Sequence, residues 1–174
     1  KNMNQLQTGK IDFAVLEQLI SRYTHTHPRL VLGAGIGEDA AIIEMGDRCL
    51  IAKTDPITHV TGEIGYYAVH INANDIAATG GTPMWFLATI LMPEHSTSKD
   101  LEQVFAQISL SCKDMGITFC GGHSEVTTGV RNPIVVGQML GEADKSRLKP
   151  TSGACPGDHL IMTKRAAIEA TSIM

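Results

Sequence analysis

The stretch "TGEIGYYAVHINANDIAATGGTPMWFLATILMP", residues 61–93, decides the fold class. Its first part repeats small and apolar residues at helical periodicity and ends in a glycine pair, which predicts a helix over 61–81. Between Pro83 and Pro93 lies an almost continuous apolar run, the pattern of a strand covered on both faces. A helix followed at once by such a strand means that helix and sheet share one core.

The same pattern continues outward in both directions. Upstream, "AAIIE" (40–44) and "CLIAKT" (49–54), separated by "MGDR", predict a β-hairpin. Before them, "IDFAVLEQLISRY" (11–23) sets Val15, Leu16, Leu19, Ile20 and Tyr23 at helical spacing behind Asp12 as N-cap. Downstream, "STSKDLEQVFAQISLSCKDMG" (96–116) predicts a capped helix with Leu101, Val104, Phe105 and Ile108 on one face. A strand "ITFC", a loop "GGHSEVTTGVRN" (121–132) and a strand "PIVVGQMLGEA" (133–143) follow. The order ββαβαββ after the first helix predicts an α+β sandwich with helices on one face of a sheet. The other face then needs a cover. Residues 146–158 turn to Pro, Gly and Ser and read as a linker, after which "HLIMTK" reads as the first strand of something new. The expected domains are 1–150 and the beginning of a second over 155–174.

Composition narrows the function classes. With 174 residues the chain has the length of about one domain. No apolar run approaches the roughly 20 residues of a bilayer span, and "KNMNQLQTGK" lacks the apolar region of a secretory signal. No membrane association and a cytoplasmic location are expected. The formal charge of −4 with scattered basic residues speaks against nucleic acid as a partner. A chain this acidic needs metal ions to handle anionic phosphates. Cys49, Cys112, Cys120 and Cys155 form no C-x-x-C pair, so reduced, mostly buried thiols are expected. The start at Lys1 and the stop at Met174, inside "RAAIEATSIM" with its look of a beginning helix, suggest a fragment.

The chemistry gathers around "GAGIGEDAA", residues 33–41. Glycines at 33, 35 and 37 free the backbone to turn its N–H groups inward as an anion nest, although a flexible loop has the same composition. The spacing matches neither a Walker A loop nor a Rossmann fingerprint. If the hairpin turns about Asp47, facing residues sum to 94 and Asp39 stands opposite Asp55, where a divalent cation would relieve their repulsion. The alternative is two solvated strand-end acids. Ile64, Ala68, Ile71 and Asp75 share one helix face, so Asp75 carries a carboxylate onto an apolar stripe. Such a group requires a cation, hydrogen-bond donors, or a paired Arg or Lys. His123, Glu125 and Cys120 form an incomplete zinc set in a loop that equally reads as a turn.

These residues carry a resemblance. "GIGEDAA", "KTDPIT", "NANDIAATGGTP" and "GGHSEVT", in this order and spacing, resemble the aminoimidazole ribonucleotide synthetase superfamily, which includes thiamine-monophosphate kinase, selenophosphate synthetase and the hydrogenase maturation protein HypE. The wording is nearest to the HypE-like group, including "GKI" near the start and "GDHLIMTKRAAIEAT" at the end. The resemblance implies an N-terminal ATP-binding domain that dimerises through a β-barrel, with only the start of a C-terminal domain present. It further implies ATP and Mg²⁺ as cofactors, a homodimer, maturation-protein partners, and phosphoryl transfer that activates an oxygen. By position it makes Asp39, Thr54, Asp55 and Asp75 metal ligands, and places Gly35, Gly37, Asn74, Gly121, Gly122, His123 and Glu125 at the nucleotide. The residue at 123 departs from the pattern, since relatives carry an acid after the glycine pair and imidazole is a poorer Mg²⁺ ligand. No catalytic side chain is implied within the domain. A thiamine-monophosphate-kinase-like phosphotransferase and a non-catalytic nucleotide-binding scaffold are the alternatives.

Overall fold

The computed structural model describes residues 6–58, 60 and 62–162. In chain order the elements are α1 (Phe13–Tyr23), β1 (Leu30–Leu32), β2 (Ala41–Met45), β3 (Arg48–Ile57), α2 (Ile64–Ala78), β4 (Thr82–Met92), α3 (Ser98–Asp114), β5 (Thr118–Val126) and β6 (Ile134–Asp144). Two single 3₁₀ turns, Lys145–Arg147 and Thr151–Gly153, follow. Among the described residues no helix is long and apolar enough to cross a membrane.

The six strands make one mixed sheet in the order β1-β2-β3-β6-β4-β5. All neighbours are antiparallel except β4 and β5, which are parallel and joined through α3. Helices α2 and α3 cover one face, and the α+β class expected from the element order is what the chain adopts. On β6 the residues facing the helices, Val135, Gly137, Met139, Gly141 and Ala143, are buried, and those between them are not. The core is built on that face from Ile42, Ile51, Phe86, Ile90, Met92 and Met139, under Ile64, Val69 and Ile76 of α2 and Ile108 of α3. Gly137 and Gly141 let α2 sink onto β6: a Cβ at 137 would stand 2.3 Å from Asn72 Nδ2, and one at 141 would stand 2.4 Å from Ile76 Cγ2.

Among the described residues no helix lies on the opposite face. Ile43, Leu50, Ala52, Leu140, Val136, Trp85, Leu87 and Leu91 lie there half-buried, kept from full exposure by each other. The strand 83–93 was expected to be covered on both sides; among the described residues only Phe86, Ala88, Ile90 and Met92 are buried. Helix α1 is no cover, because none of its residues is buried. Its N-terminus does follow the expectation, with Asp12 Oδ1 accepting from the amides of Ala14 and Val15.

Four local readings need correction. The hairpin turns at Gly46–Asp47, with Met45 facing Arg48 and Ala41 facing Ala52, so facing residues sum to one less than expected and Asp39 precedes the ladder. Gly46 takes φ +79, which sets a two-residue turn where a turn centred on Asp47 was expected. Strand β5 does not stop at Cys120. Gly121 and Gly122 take φ +126 and +145 at a shift in register against β4, and the ladder resumes to Val126. Cys120, unpaired just ahead of the glycine pair, makes a bulge where the sequence suggested a turn. Only Cys49 and Cys112 are buried; Cys120 and Cys155 are exposed. Finally, "HLIMTK" forms no regular element over 159–162, and its last two residues, like "RAAIEATSIM", lie outside the described residues.

The stretch expected as a linker is fastened to the domain. Lys149 N donates to Thr79 O at 2.9 Å, and the carbonyl of Arg147 lies so close to Gly80, at φ +89, that a Cβ there would stand 2.1 Å from it. The amides of Thr151 and Ser152 both donate to the Glu38 carboxylate at 3.2 Å. Burial raises the pKa of Glu38, but the hydrogen bonds from Ser152 and Thr151 outweigh it and hold the carboxyl below the usual range.

Candidate functional site

Three of the acids singled out in the sequence line one pocket. Asp39, Asp55 and Asp75, with Lys10, Lys53, Pro56, Ile57 and Ile71, enclose a polar space of about 480 Å³ between the C-terminal half of β3 and the outer flank of α2. Each arrives by a different local rule. Asp39 follows the turn over Ile36 and Gly37, where Glu38 N donates to Gly35 O at 3.3 Å and Gly37 takes φ +83. Lys53 and Asp55 are two apart on β3 and so project to the same, helix-facing side. Asp75 comes from α2, although not from its buried stripe. The buried residues are Ile64, Gly65, Ala68, Val69, Asn72, Ala73 and Ile76, and Ile71 and Asp75 stand together on the flank of that stripe. The spacing had the right pair on one face but placed that face too centrally.

Lys53 is the residue the sequence reading did not name. Its ammonium lies 2.8 Å from Asp75 Oδ2 and 3.6 Å from Asp55 Oδ2. The lysine side chain is 13% exposed, against 40% for Asp55 and 22% for Asp75, so it forms the floor and the acids the rim. One of the open alternatives for Asp75, a pair with Lys or Arg, is therefore present. The signal was available, since "KTD" puts a lysine and an acid at strand period on one face. Lys10 had no comparable local signal.

The charges in the pocket do not balance. Burial raises the Asp75 carboxyl, Lys53 opposes this, and Asp39 and Asp55 push it further up, leaving it above the ordinary carboxylate range. Burial lowers Lys53, but Asp75, then Asp55 and Asp39, hold it above its ordinary value. The neighbouring acids push both groups upward, adding to burial at Asp75 and opposing it at Lys53, since surrounding negative charge favours a bound proton.

Asn72 braces this arrangement from beneath. It is fully buried, and its Nδ2 donates to Ala68 O at 2.8 Å and to Asp55 O at 3.4 Å, which ties the backbone of the β3 acid to α2. Its Oδ1 has no partner among the described residues.

The remaining candidates are not brought to this pocket. Thr54, between Lys53 and Asp55, points to the helix-free side and donates to Gly137 O at 2.9 Å. Asn74 is exposed, away from the pocket lining. Gly121, Gly122, His123 and Glu125 lie on edge strand β5, three strand positions from β3. At roughly 4.8 Å per step that is about 14 Å. Gly122 is obligatory there, because a Cβ would stand 1.9 Å from Ala88 O. His123 Nε2 and Glu125 Oε2 are 3.0 Å apart on the same side of β5 as Thr89 and Leu91, the helix-free face.

The donor set fits Mg²⁺. Among the described residues no three acidic, imidazole or thiol groups are close enough to enclose an ion by themselves. Mg²⁺ requires no such cage, since it is held through one or two carboxylates with phosphate oxygens and water completing the shell. Zinc does not fit, because Cys120, His123 and Glu125 belong to no such group.

Comparison with known proteins places the fold in a family. Residues 37–143 match the family described as AIR synthase related protein, N-terminal domain. A selenide, water dikinase from Dechloromonas aromatica is 30% identical over 91% of this chain and 47% of its own length. A putative hydrogenase expression/formation protein from Methanocaldococcus jannaschii is 27% identical over 76% of this chain and 42% of its own length. The chain thus spans about half the length of the curated relatives it matches. Among solved structures, a HypE–HypF complex superposes with a TM-score of 0.66 at 21% identity, covering 82% of this chain and 46% of that one. HypE in complex with ATP gives 0.59 at 24% identity, covering 86% and 45%. At these identities the superpositions establish the fold. The chain belongs to the AIR synthase related protein family, and residues 37–143 form its N-terminal domain.

Proposed function

We propose that this domain binds ATP as its magnesium complex and serves an enzyme of the HypE-like kind that phosphorylates, and so activates, an oxygen atom. The observation that carries the reading is the uncompensated charge of the pocket: three carboxylates face a single deep lysine, with Lys10 at the rim. A triphosphate brings more negative charge, so Asp39, Asp55 and Asp75 are useful to it only through divalent cations. Bound Mg²⁺ would supply neutralisation of the phosphate oxygens. The residues of the chain hold and orient: Asp55 is fixed through its backbone by Asn72, and Asp75 through its side chain by Lys53. Such chemistry is mainly positioning and electrostatics and requires no side-chain nucleophile in this domain.

We also propose a homodimer formed through the helix-free sheet face. His123 and Glu125 lie on that face, about 14 Å from the acids by strand spacing, so one chain cannot bring both groups to the same phosphate. A second copy on the apolar face would give that face its cover. A cytoplasmic setting and a maturation-protein partner accompany this reading, the latter because a structural neighbour was solved bound to HypF.

Calorimetric titration of ATP tests the proposal. Binding is expected in Mg²⁺, and in EDTA or in Asp55→Asn it should weaken at least tenfold. Equal ATP affinity under all three conditions would remove the reading.

A further inference from the structure

The side chain of Lys53 stands where the pocket would otherwise need metal. Its ammonium bridges two of the three carboxylates, at 2.8 Å from Asp75 and 3.6 Å from Asp55. It is more deeply enclosed than either acid, so its position is built into the floor and is not that of a surface ion pair. The floor is tied to its neighbours: Lys53 lies mid-strand on β3, paired with Met139 of β6, and the neighbouring Asp55 backbone accepts from the buried Asn72. Lysine is a compact point charge with no acceptor, and an ammonium between two carboxylates provides the bridging that a cation provides.

We infer that Lys53 is a resident cation that takes the place of one divalent ion between Asp55 and Asp75, so that this domain holds its nucleotide with one metal ion fewer than three free carboxylates would recruit. This rests on the reading of the pocket as a metal and triphosphate site. Two consequences follow from charge alone. With Lys53 present the acids stay converged without metal, and divalent cations bind weakly because a fixed positive charge already lies among their ligands. With Lys53 removed the acids repel one another, Lys10 at the rim is the one lysine left in the lining, and a divalent ion is the group that can enter between Asp55 and Asp75.

Mn²⁺ titration without nucleotide, followed by the loss of its free electron paramagnetic resonance signal, tests this. Lys53→Met should bind Mn²⁺ at least tenfold more tightly than the unmodified chain, the change a unit charge within about 5 Å of a divalent ion produces even in a water-like dielectric. Lys53→Arg should keep the original affinity, and Lys53→Met combined with Asp75→Asn should lose the gain. Unchanged or weaker Mn²⁺ binding by Lys53→Met overturns the inference. If Lys53→Met does not fold alone, thermal melts decide: folding restored by Mn²⁺ supports the exchange of one cation for another, and a variant that stays unfolded in saturating Mn²⁺ overturns it. The two readings separate cleanly. Tightened Mn²⁺ binding in a chain that never binds ATP removes the nucleotide reading and keeps this one, whereas ATP binding with unaltered Mn²⁺ affinity does the reverse.

Discussion

Asp75 shows how one carboxylate can be both unfavourable and useful. It sits on the flank of α2 among Asp39, Asp55 and Lys53, and its pKa is raised, by burial first and by the neighbouring acids next. A raised folded-state pKa means that the folded chain binds this proton more tightly than the unfolded chain does. Stability therefore increases as pH falls from the raised value towards the ordinary carboxylate value, and at neutral pH the charged group costs stability. Asp75→Asn, which resembles the protonated form, is expected to melt higher than the unmodified chain at neutral pH in EDTA. The gap should close as pH is lowered through the carboxylate range. Because Lys53 weakens divalent binding, Mg²⁺ at neutral pH should stabilise the unmodified chain only at high concentration, and should leave Asp75→Asn nearly unmoved. Thermal melts across pH, with and without Mg²⁺, check all three outcomes.

At the scale of elements, α3 is the clearest case of local sequence deciding local structure. Thr97 Oγ1 accepts from Asp100 N at 3.3 Å while Asp100 Oδ2 accepts from Thr97 N at 2.7 Å, a reciprocal cap that satisfies two otherwise free amides. Thr97→Ala should lower stability by about 1 kcal/mol, read from urea unfolding with an unchanged slope. Helix α2 lacks such a cap of its own. Its first turn is completed from α3, where Gln107 Oε1 accepts from Gly65 N at 2.9 Å and Gln107 Nε2 donates to Gly62 O at 2.8 Å. A polar side chain 42 positions away is invisible to a local reading, which is why the start of α2 fell at 61 in the sequence and at Ile64 in the fold.

At the scale of the whole molecule, the described residues cover the sheet with helices on one side only. Leu140 lies centrally on the helix-free face, between Ala52 of β3 and Trp85 of β4. If two copies meet there, Leu140→Lys should yield a monomer by sedimentation velocity while circular dichroism stays native, because the substitution leaves the helix-side core untouched. An unmodified chain that sediments as a monomer at micromolar concentration would count against the homodimer.

The sequence by itself determined the class of the fold, the order of most elements, the capped helix, and which three acids to watch, because periodicity and capping act over a few residues. It misplaced what depends on partners. The register of β2 against β3 turned on a single residue at Gly46, and the continuation of β5 through Gly121 and Gly122 depended on how closely β4 approaches. Only the tertiary structure put Lys53 beneath Asp55 and Asp75, with Asn72 tying β3 to α2, and only it set the β5 residues three strands away. The reason is physical. A side chain's face follows from its own strand or helix, but its distance to a charge on another element follows from how deeply the two elements pack, and here that depth is set by glycines opposite α2.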